Sequence, residues 1–140
     1  QNCVQLKWKY RHLKLVDRWW RVGADRVRVT TDTATGTVTQ ACVKERLLDI
    51  AIHLPVSQAD VRISVNRERS VEWPPASLAQ EETGSRHKDR LSYQFEGVTI
   101  DLTQVNQDGA VKHELEVEIG DPAHLPALLS TLRRIGRLLS

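Results

Sequence analysis

A chain of 140 residues with 40% hydrophobic and 27% charged side chains suffices for one domain with a sizeable core and is too short for two, so residues 1–140 are read as one partial domain. The formal net charge of +2 excludes bulk attraction as the basis of polyanion binding, and the lack of a long basic stripe disfavours nucleic-acid binding as the sole function. No apolar run approaches membrane-spanning length and the expected chain has no signal peptide; it begins at Gln1, contains no Met and reads as a fragment of a longer protein.

Period-two alternation with β-branched residues and turn signals between runs predicts an antiparallel, mainly β (α+β) domain of about seven strands rather than βαβ units. The first strand is expected over Val4 to Val16, with Val4, Leu6, Trp8 and Tyr10 on one face and Lys7, Lys9 and Arg11 on the other. Cys3 and Cys42 lack metal spacing and read as reduced intracellular thiols, with a single bridge between them as the alternative. After Trp19-Trp20 and a turn at Gly23, Arg26 to Thr31 forms a second strand, and the Asp32 to Gly36 hairpin turn leads into Thr37 to Leu54. In that long segment Val43, Leu47, Ile50 and Leu54 would also suit a helix, but the hairpin sets an antiparallel partner and Pro55 ends the run, which favours a strand with a break.

Asp60 to Glu68 alternates cleanly, whereas residues 70–85 are polar and irregular and read as an inserted loop. Arg86 to Phe95 and Val98 to Val105 flank a turn at Gly97, and Asn106 to Gly109 turns into the strand around Glu114 to Glu118. A packing helix closes the chain: Asp121 caps, Pro122 suits the first turn, and Leu125, Leu128, Leu129, Leu132, Ile135 and Leu139 form its apolar stripe. Trp19, Trp20 and Trp73 fall outside the charged pattern and are expected to pack as core or helix-covering side chains, with a partner or dimer surface as the alternative.

The charges carry the chemistry. On a strand, His113 to Ile119 places Glu114, Glu116 and Glu118 on one face and Leu115, Val117 and Ile119 on the other. Same-face neighbours lie about 7 Å apart, and ionised pairs at that distance repel by roughly 2 kcal/mol at an effective dielectric near 20. A divalent cation or a row of Lys and Arg must face them. Other strands show the same division: Arg86, Lys88, Arg90 and Ser92 oppose Leu91, Tyr93 and Phe95, and Thr99, Asp101 and Thr103 oppose Ile100 and Leu102. Arg26 and Arg28 oppose Val27 and Val29, and Glu68 follows Ser64 and Asn66. One such strand would merely have a solvated face; all of them together predict a closed antiparallel barrel of eight strands with a polar lumen.

With these residues in hand, the chain resembles the fungal and protist RNA 5′-triphosphatases of the mRNA capping apparatus, members of the triphosphate tunnel metalloenzymes. The resemblance runs through Arg26 to Val29, Thr35-Gly36, Val43-Lys44, Asp60 to Glu68, Lys88 to Tyr93, Ile100 to Thr103 and His113 to Ile119. It implies a triphosphate tunnel fold and a hydrolase that removes the γ-phosphate from nascent RNA, leaving a diphosphate end. The implied cofactor is Mg²⁺ or Mn²⁺, with Glu118 as direct ligand and Glu114 and Glu116 holding the metal's waters and neighbouring basic groups. Arg28, Lys44, Lys88 and Arg90 correspond to the γ-phosphate clamp, supported by Arg86. Glu68 corresponds to the group that orients or activates water, and Asp101, Thr103 and Ser64 to organisers of the tunnel. The implied partners are the 5′-triphosphate end of nascent mRNA and the mRNA guanylyltransferase, with a homodimer as an implied arrangement, a nuclear location, and neither membrane nor DNA.

One departure stands out. The family's first tunnel strand carries a Glu-x-Glu motif with two further metal ligands, and no such strand precedes Val4, so the tunnel is expected to be incomplete at the N-terminus. Either the chain is a fragment of a longer protein or another chain donates that strand, and the isolated chain is expected to be weak in metal binding and hydrolysis. The competing readings are a non-catalytic tunnel-fold subunit of a transcription assembly and a tunnel phosphohydrolase acting on nucleoside triphosphate, polyphosphate or thiamine triphosphate. The first would carry a desolvation cost for its opposed charges with no return in function.

Overall fold

Turn chemistry sets the strand boundaries. Glu96-Gly97 (φ 49° and 75°) and Asp108-Gly109 (φ 52° and 79°) each supply two consecutive left-handed residues, the backbone that the tightest hairpins need. The computed structural model describes residues 8–53, 55, 60–76 and 80–139. Among them run seven strands: β1 (Lys9–Val22), β2 (Asp25–Asp32), β3 (Val38–Ile52), β4 (Val61–Ser70), β5 (Gln80–Phe95), β6 (Val98–Gln107) and β7 (Ala110–Ile119). Their order in the sheet is β4-β3-β2-β1-β5-β6-β7, so β4 and β7 stand at its two ends. A 3-10 turn at Pro122–His124, capped by the Asp121 carboxylate on the Ala123 amide, leads into α1 (Leu125–Leu139). The mainly β architecture with one C-terminal helix is the expected one. The expected strand start at Val4, any pairing of Cys3, and the Leu139 side chain lie outside the described residues. Cys42 is a free, fully buried thiol.

Three local expectations are corrected. β1 does not stop at Val16 but runs on through the aromatic pair to Val22, where the Gly23-Ala24 turn (Gly23 φ 59°) reverses the chain. Residues 80–85 are not loop but the first part of β5. Their composition hides this because polar contacts replace apolar alternation: Thr83 Oγ1 donates to the Trp19 carbonyl at 3.3 Å, and Arg18 lies 3.8 Å from Glu82. Trp19 is not a core residue, as its contacts below show. The helix-like spacing in 37–54 also finds its explanation, since β3 is a strand whose register slips between Arg46 and Leu48, leaving Leu47 as an extra residue.

Contacts divide the chain into two compact units, residues 17–85 and residues 1–16 with 86–140. In the first, Val22, Val27 and Val29 form a buried cluster against Trp20, Ala41, Val43, Val71 and Trp73, with the Trp20 and Trp73 rings 5.5 Å apart. In the second, Trp8 stacks on Phe95 at 4.7 Å, Tyr10 tilts against Tyr93 at 5.2 Å, and His12 Nε2 meets Asp89 Oδ1 at 2.6 Å. The His124 ring closes over Gly97, where an added Cβ would lie 2.5 Å from three ring atoms. Gly97→Ala therefore meets both a left-handed backbone and a side-chain clash. It is expected to cost about 1–3 kcal/mol in urea denaturation, with His124→Ala in the same chain recovering the steric part.

Candidate active site

In the unit built from residues 1–16 and 86–140, the hairpin registers bring the charged positions of three strands onto one face. Ser92 pairs with Asp101 and Asp101 with Glu116; Arg90 pairs with Thr103 and Thr103 with Glu114; Thr99 pairs with Glu118. On β5 and β6 this charged face is the buried one, while Glu116 and Glu118 at the β7 edge are exposed. Lys88, Ser92, Asp101 and Thr103 are exposed by only 7%, 7%, 3% and 2%, whereas Leu102 and Leu115 on the opposite face are 43% and 45% exposed. Such inversion of the ordinary pattern is costly unless the charges compensate one another.

Arg90 supplies part of that compensation. Its Nε donates to Thr103 Oγ1 at 2.9 Å, Nη1 lies 3.0 Å from Asp101 Oδ2, and Nη2 donates to Glu116 Oε2 at 3.0 Å. The guanidinium thus ties β5 to β6 and β7 through three groups, a planar geometry that a lysine cannot reproduce. Asp101 Oδ1 is buried without a hydrogen bond.

The unit of residues 17–85 has its own constellation. Arg28 on β2 shares a face with Gln40 and Cys42 on β3 and with Glu68 on β4, since Arg28 pairs with Cys42, Thr30 with Gln40, and Lys44 with Glu68. Arg28 Nη2 donates to Glu68 Oε1 at 3.2 Å and approaches Gln40 Oε1 at 3.4 Å and Cys42 Sγ at 3.5 Å. The second oxygen of Glu68 accepts from Gln40 Nε2 at 3.2 Å, so the carboxylate is held at both ends. Burial opposes the charge on Arg28, but Cys42, Asp17 and Glu68 outweigh it and hold the guanidinium above its ordinary value. Arg28 Nε is buried and makes no hydrogen bond to the protein. A permanently charged group with an unused N–H is what an anion site needs.

The structure thus gathers Arg28, Lys44 and Glu68 in one unit and Lys88, Arg90, Asp101, Thr103, Glu114, Glu116 and Glu118 in the other, as the alternation predicts. Arg86 is half-buried, in phase with Lys88 and Arg90. Ser64 is not brought to the site: it accepts from Asn66 Nδ2 at 3.3 Å and pairs across β3 with Asp49. There the charges neutralise one another, since Arg62 and Arg46 both bind Asp49 and hold its carboxyl below the ordinary range. Sequence reasoning missed Gln40, which only the register reveals, and Asp17. The latter is fully buried and accepts from Thr30 Oγ1 at 2.7 Å. The available signal was a lone carboxylate directly after Leu15-Val16.

Among the described residues, no group of three or more His, Cys, Asp or Glu side chains converges as a metal cage. Glu114, Glu116 and Glu118 offer oxygens of the kind hard cations prefer, but at strand spacing they cannot all reach one ion directly, and Glu116 is held by Arg90. These residues do not make a metal centre by themselves. No helix is long and apolar enough to cross a membrane among the described residues.

Comparison with known proteins extends these observations. Residues 1–132 match the family model described as mRNA capping enzyme, beta chain. The chain is 33% identical over 133 residues to the mRNA-capping enzyme subunit beta of Schizosaccharomyces pombe, covering 89% of this chain and 43% of that protein. It is 36% identical over 116 residues to the subunit of the same name from Cryptococcus neoformans, covering 77% of this chain and 28% of that protein. Among solved structures, the S. pombe Pct1 RNA triphosphatase in complex with the Spt5 CTD is similar in fold, with a TM-score of 0.73 and 29% identity over 99% of this chain and 58% of that one. The chain therefore spans less than half the length of these curated relatives.

Proposed function

The chain belongs to the mRNA capping enzyme beta-chain family, and we propose from that premise that it carries the phosphate-handling side chains of a polynucleotide 5′-triphosphatase. The reaction is attack of water on the γ-phosphorus of 5′-triphosphate RNA, releasing inorganic phosphate and leaving a 5′-diphosphate end for capping. The observation that carries the reading is the inverted pattern of β5 and β6: Lys88, Ser92, Asp101 and Thr103 are buried while Leu102 on the opposite face is exposed. A scaffold has no use for Lys88 or Asp101 in that position, whereas phosphoryl transfer needs fixed charge around the transferred group.

Each side chain then has a task. Arg28 and Lys44 neutralise terminal phosphate oxygens, and Lys88 and Arg90 do the same from their own unit with Arg86 in support. Arg90 also depends on Asp101, Thr103 and Glu116 for its orientation. Glu68, fixed by Arg28 and Gln40, orients the attacking water and receives its proton. Family membership implies a requirement for Mg²⁺ or Mn²⁺. Because the described carboxylates do not enclose an ion, cation binding by this chain is expected to be weak. The guanylyltransferase that acts next in capping, a second copy of the chain, and a nuclear setting belong to the same reading. The presence of the Spt5 CTD in the Pct1 structure supports a protein partner of that kind as well.

Phosphate release from a 5′-triphosphate RNA oligonucleotide in Mg²⁺ or Mn²⁺ tests the proposal. It is measured with this chain and with one extended by the family's Glu-x-Glu strand. A diphosphate-ended product from the extended chain supports it. No release from either, together with no binding of inorganic tripolyphosphate, overturns it in favour of a non-catalytic subunit.

A further inference from the structure

The charged face of the 17–85 unit does not end at Arg28. Strand alternation places Arg26 on the same face, about 7 Å further along β2, and register sets it beside Lys44, since Val27 pairs with Val43. The Arg26 guanidinium lies 5.2 Å from the centre of the half-buried Trp19 ring, which fixes Trp19 to this face rather than to the apolar cluster that holds Trp20. Arg21, two residues further along β1, and Arg26 line a cleft of about 420 Å³ at the β1–β2 turn with Gly23, Ala24, Asp25 and Thr83. Asp25 does not cancel their charge, because its carboxylate is bound by Arg69 at 3.0 Å.

A tryptophan carrying an arginine over its ring, with a second arginine in the adjoining cleft, is the composition of a single-strand nucleic-acid platform. The planar groups stack a base without regard to its identity, and the guanidinium N–H groups take backbone phosphates. We propose that Trp19, Arg26 and Arg21 form the subsite for the first nucleotides behind the 5′-triphosphate, so that this chain prefers an RNA end to a free nucleotide or inorganic polyphosphate. The inference rests on the reading of Arg28 as a terminal-phosphate ligand. Given that, the Arg28 to Arg26 step along β2 is the direction in which the nucleotide chain leaves.

The test uses the full chain and a 5′-triphosphate pentaribonucleotide bearing a 3′ fluorophore, with inorganic tripolyphosphate and the same RNA with a 5′-hydroxyl as comparators. Trp19→Ala is expected to weaken triphosphate-RNA binding about tenfold while changing tripolyphosphate affinity less than twofold. Trp19→Phe, which keeps a stacking ring and protects against misfolding, is expected to stay within about threefold of wild type. Arg26→Gln is expected to lower the slope of log affinity against log salt by about one for the RNA. Loss of RNA and tripolyphosphate binding to the same extent in Trp19→Ala, or retention of both, overturns the subsite. Failure of the phosphate reading looks different. Wild type would then bind triphosphate and hydroxyl RNA equally and tripolyphosphate not at all, and Trp19→Ala judged on the hydroxyl RNA would still decide the subsite; no RNA binding by wild type rejects it.

Discussion

Arg90→Ala is expected to be the most destabilising single substitution in the charged face, costing about 3–5 kcal/mol in urea denaturation and lowering Tm by on the order of 10 °C. The Arg90 and Asp101 side chains are 18% and 4% exposed, so this pair is not a surface ion pair screened by water. Removing the guanidinium leaves the Asp101 carboxylate buried, with its Oδ1 already lacking a hydrogen bond, and takes a donor from Thr103 and Glu116 as well. The decisive comparison is a cycle with Asp101→Asn. If the penalty comes from an orphaned charge, the double variant is more stable than Arg90→Ala alone, by about 1–3 kcal/mol as coupled neighbours show. Arg90→Lys does not restore stability, because one ammonium cannot reach three acceptors on two strands in the guanidinium's geometry. A cost below about 1 kcal/mol would mean that solvent screens the pair and that the charged face is not effectively buried.

The same face shows how far a single sequence can be read. Lys88, Arg90 and Ser92 alternating with Leu91, Tyr93 and Phe95 made their shared side legible, because a strand has only two sides. Glu114, Glu116 and Glu118 were legible for the same reason. Alternation cannot say which positions of different strands lie opposite one another, and there the reading ran out. The resemblance places Arg28 and Glu68 in one site, but their link through Gln40 depends on the β2–β3 and β3–β4 registers, with slips at Thr30/Thr31 and Arg46/Leu48. Residues 80–85 misled because Thr83 and Glu82 hold β5 to β1 through polar contacts that leave no apolar signature. Trp19 misled in the opposite direction. Both residues of the Trp19-Trp20 pair fall outside the alternating charges, yet neighbours on a strand point to opposite faces, and of the two only Trp20 reaches the apolar cluster.

Glu68→Gln is expected to reduce phosphate release by about 10²–10⁴-fold in kcat, with a change in KM below about threefold, when tested in a chain competent for hydrolysis. The carboxylate accepts from Arg28 through one oxygen and from Gln40 through the other, which fixes its plane without altering its charge. An amide at position 68 has the same shape but cannot receive the proton of the attacking water. Its NH₂ would also face the Gln40 NH₂, forcing Gln40 to turn over and surrender the 3.4 Å contact in which its Oε1 receives Arg28. Gln40→Ala separates the two effects. It removes the positioning contact but keeps the carboxylate and the Arg28 pair, so it is expected to lower kcat only about tenfold, toward the low end of what a misplaced group costs. Equal losses in the two variants would assign Glu68 to holding Arg28 in place. A loss confined to KM in Glu68→Gln would do the same, because a group acting on the water changes the chemical step and leaves the hold on the terminal phosphate to Arg28 and Lys44.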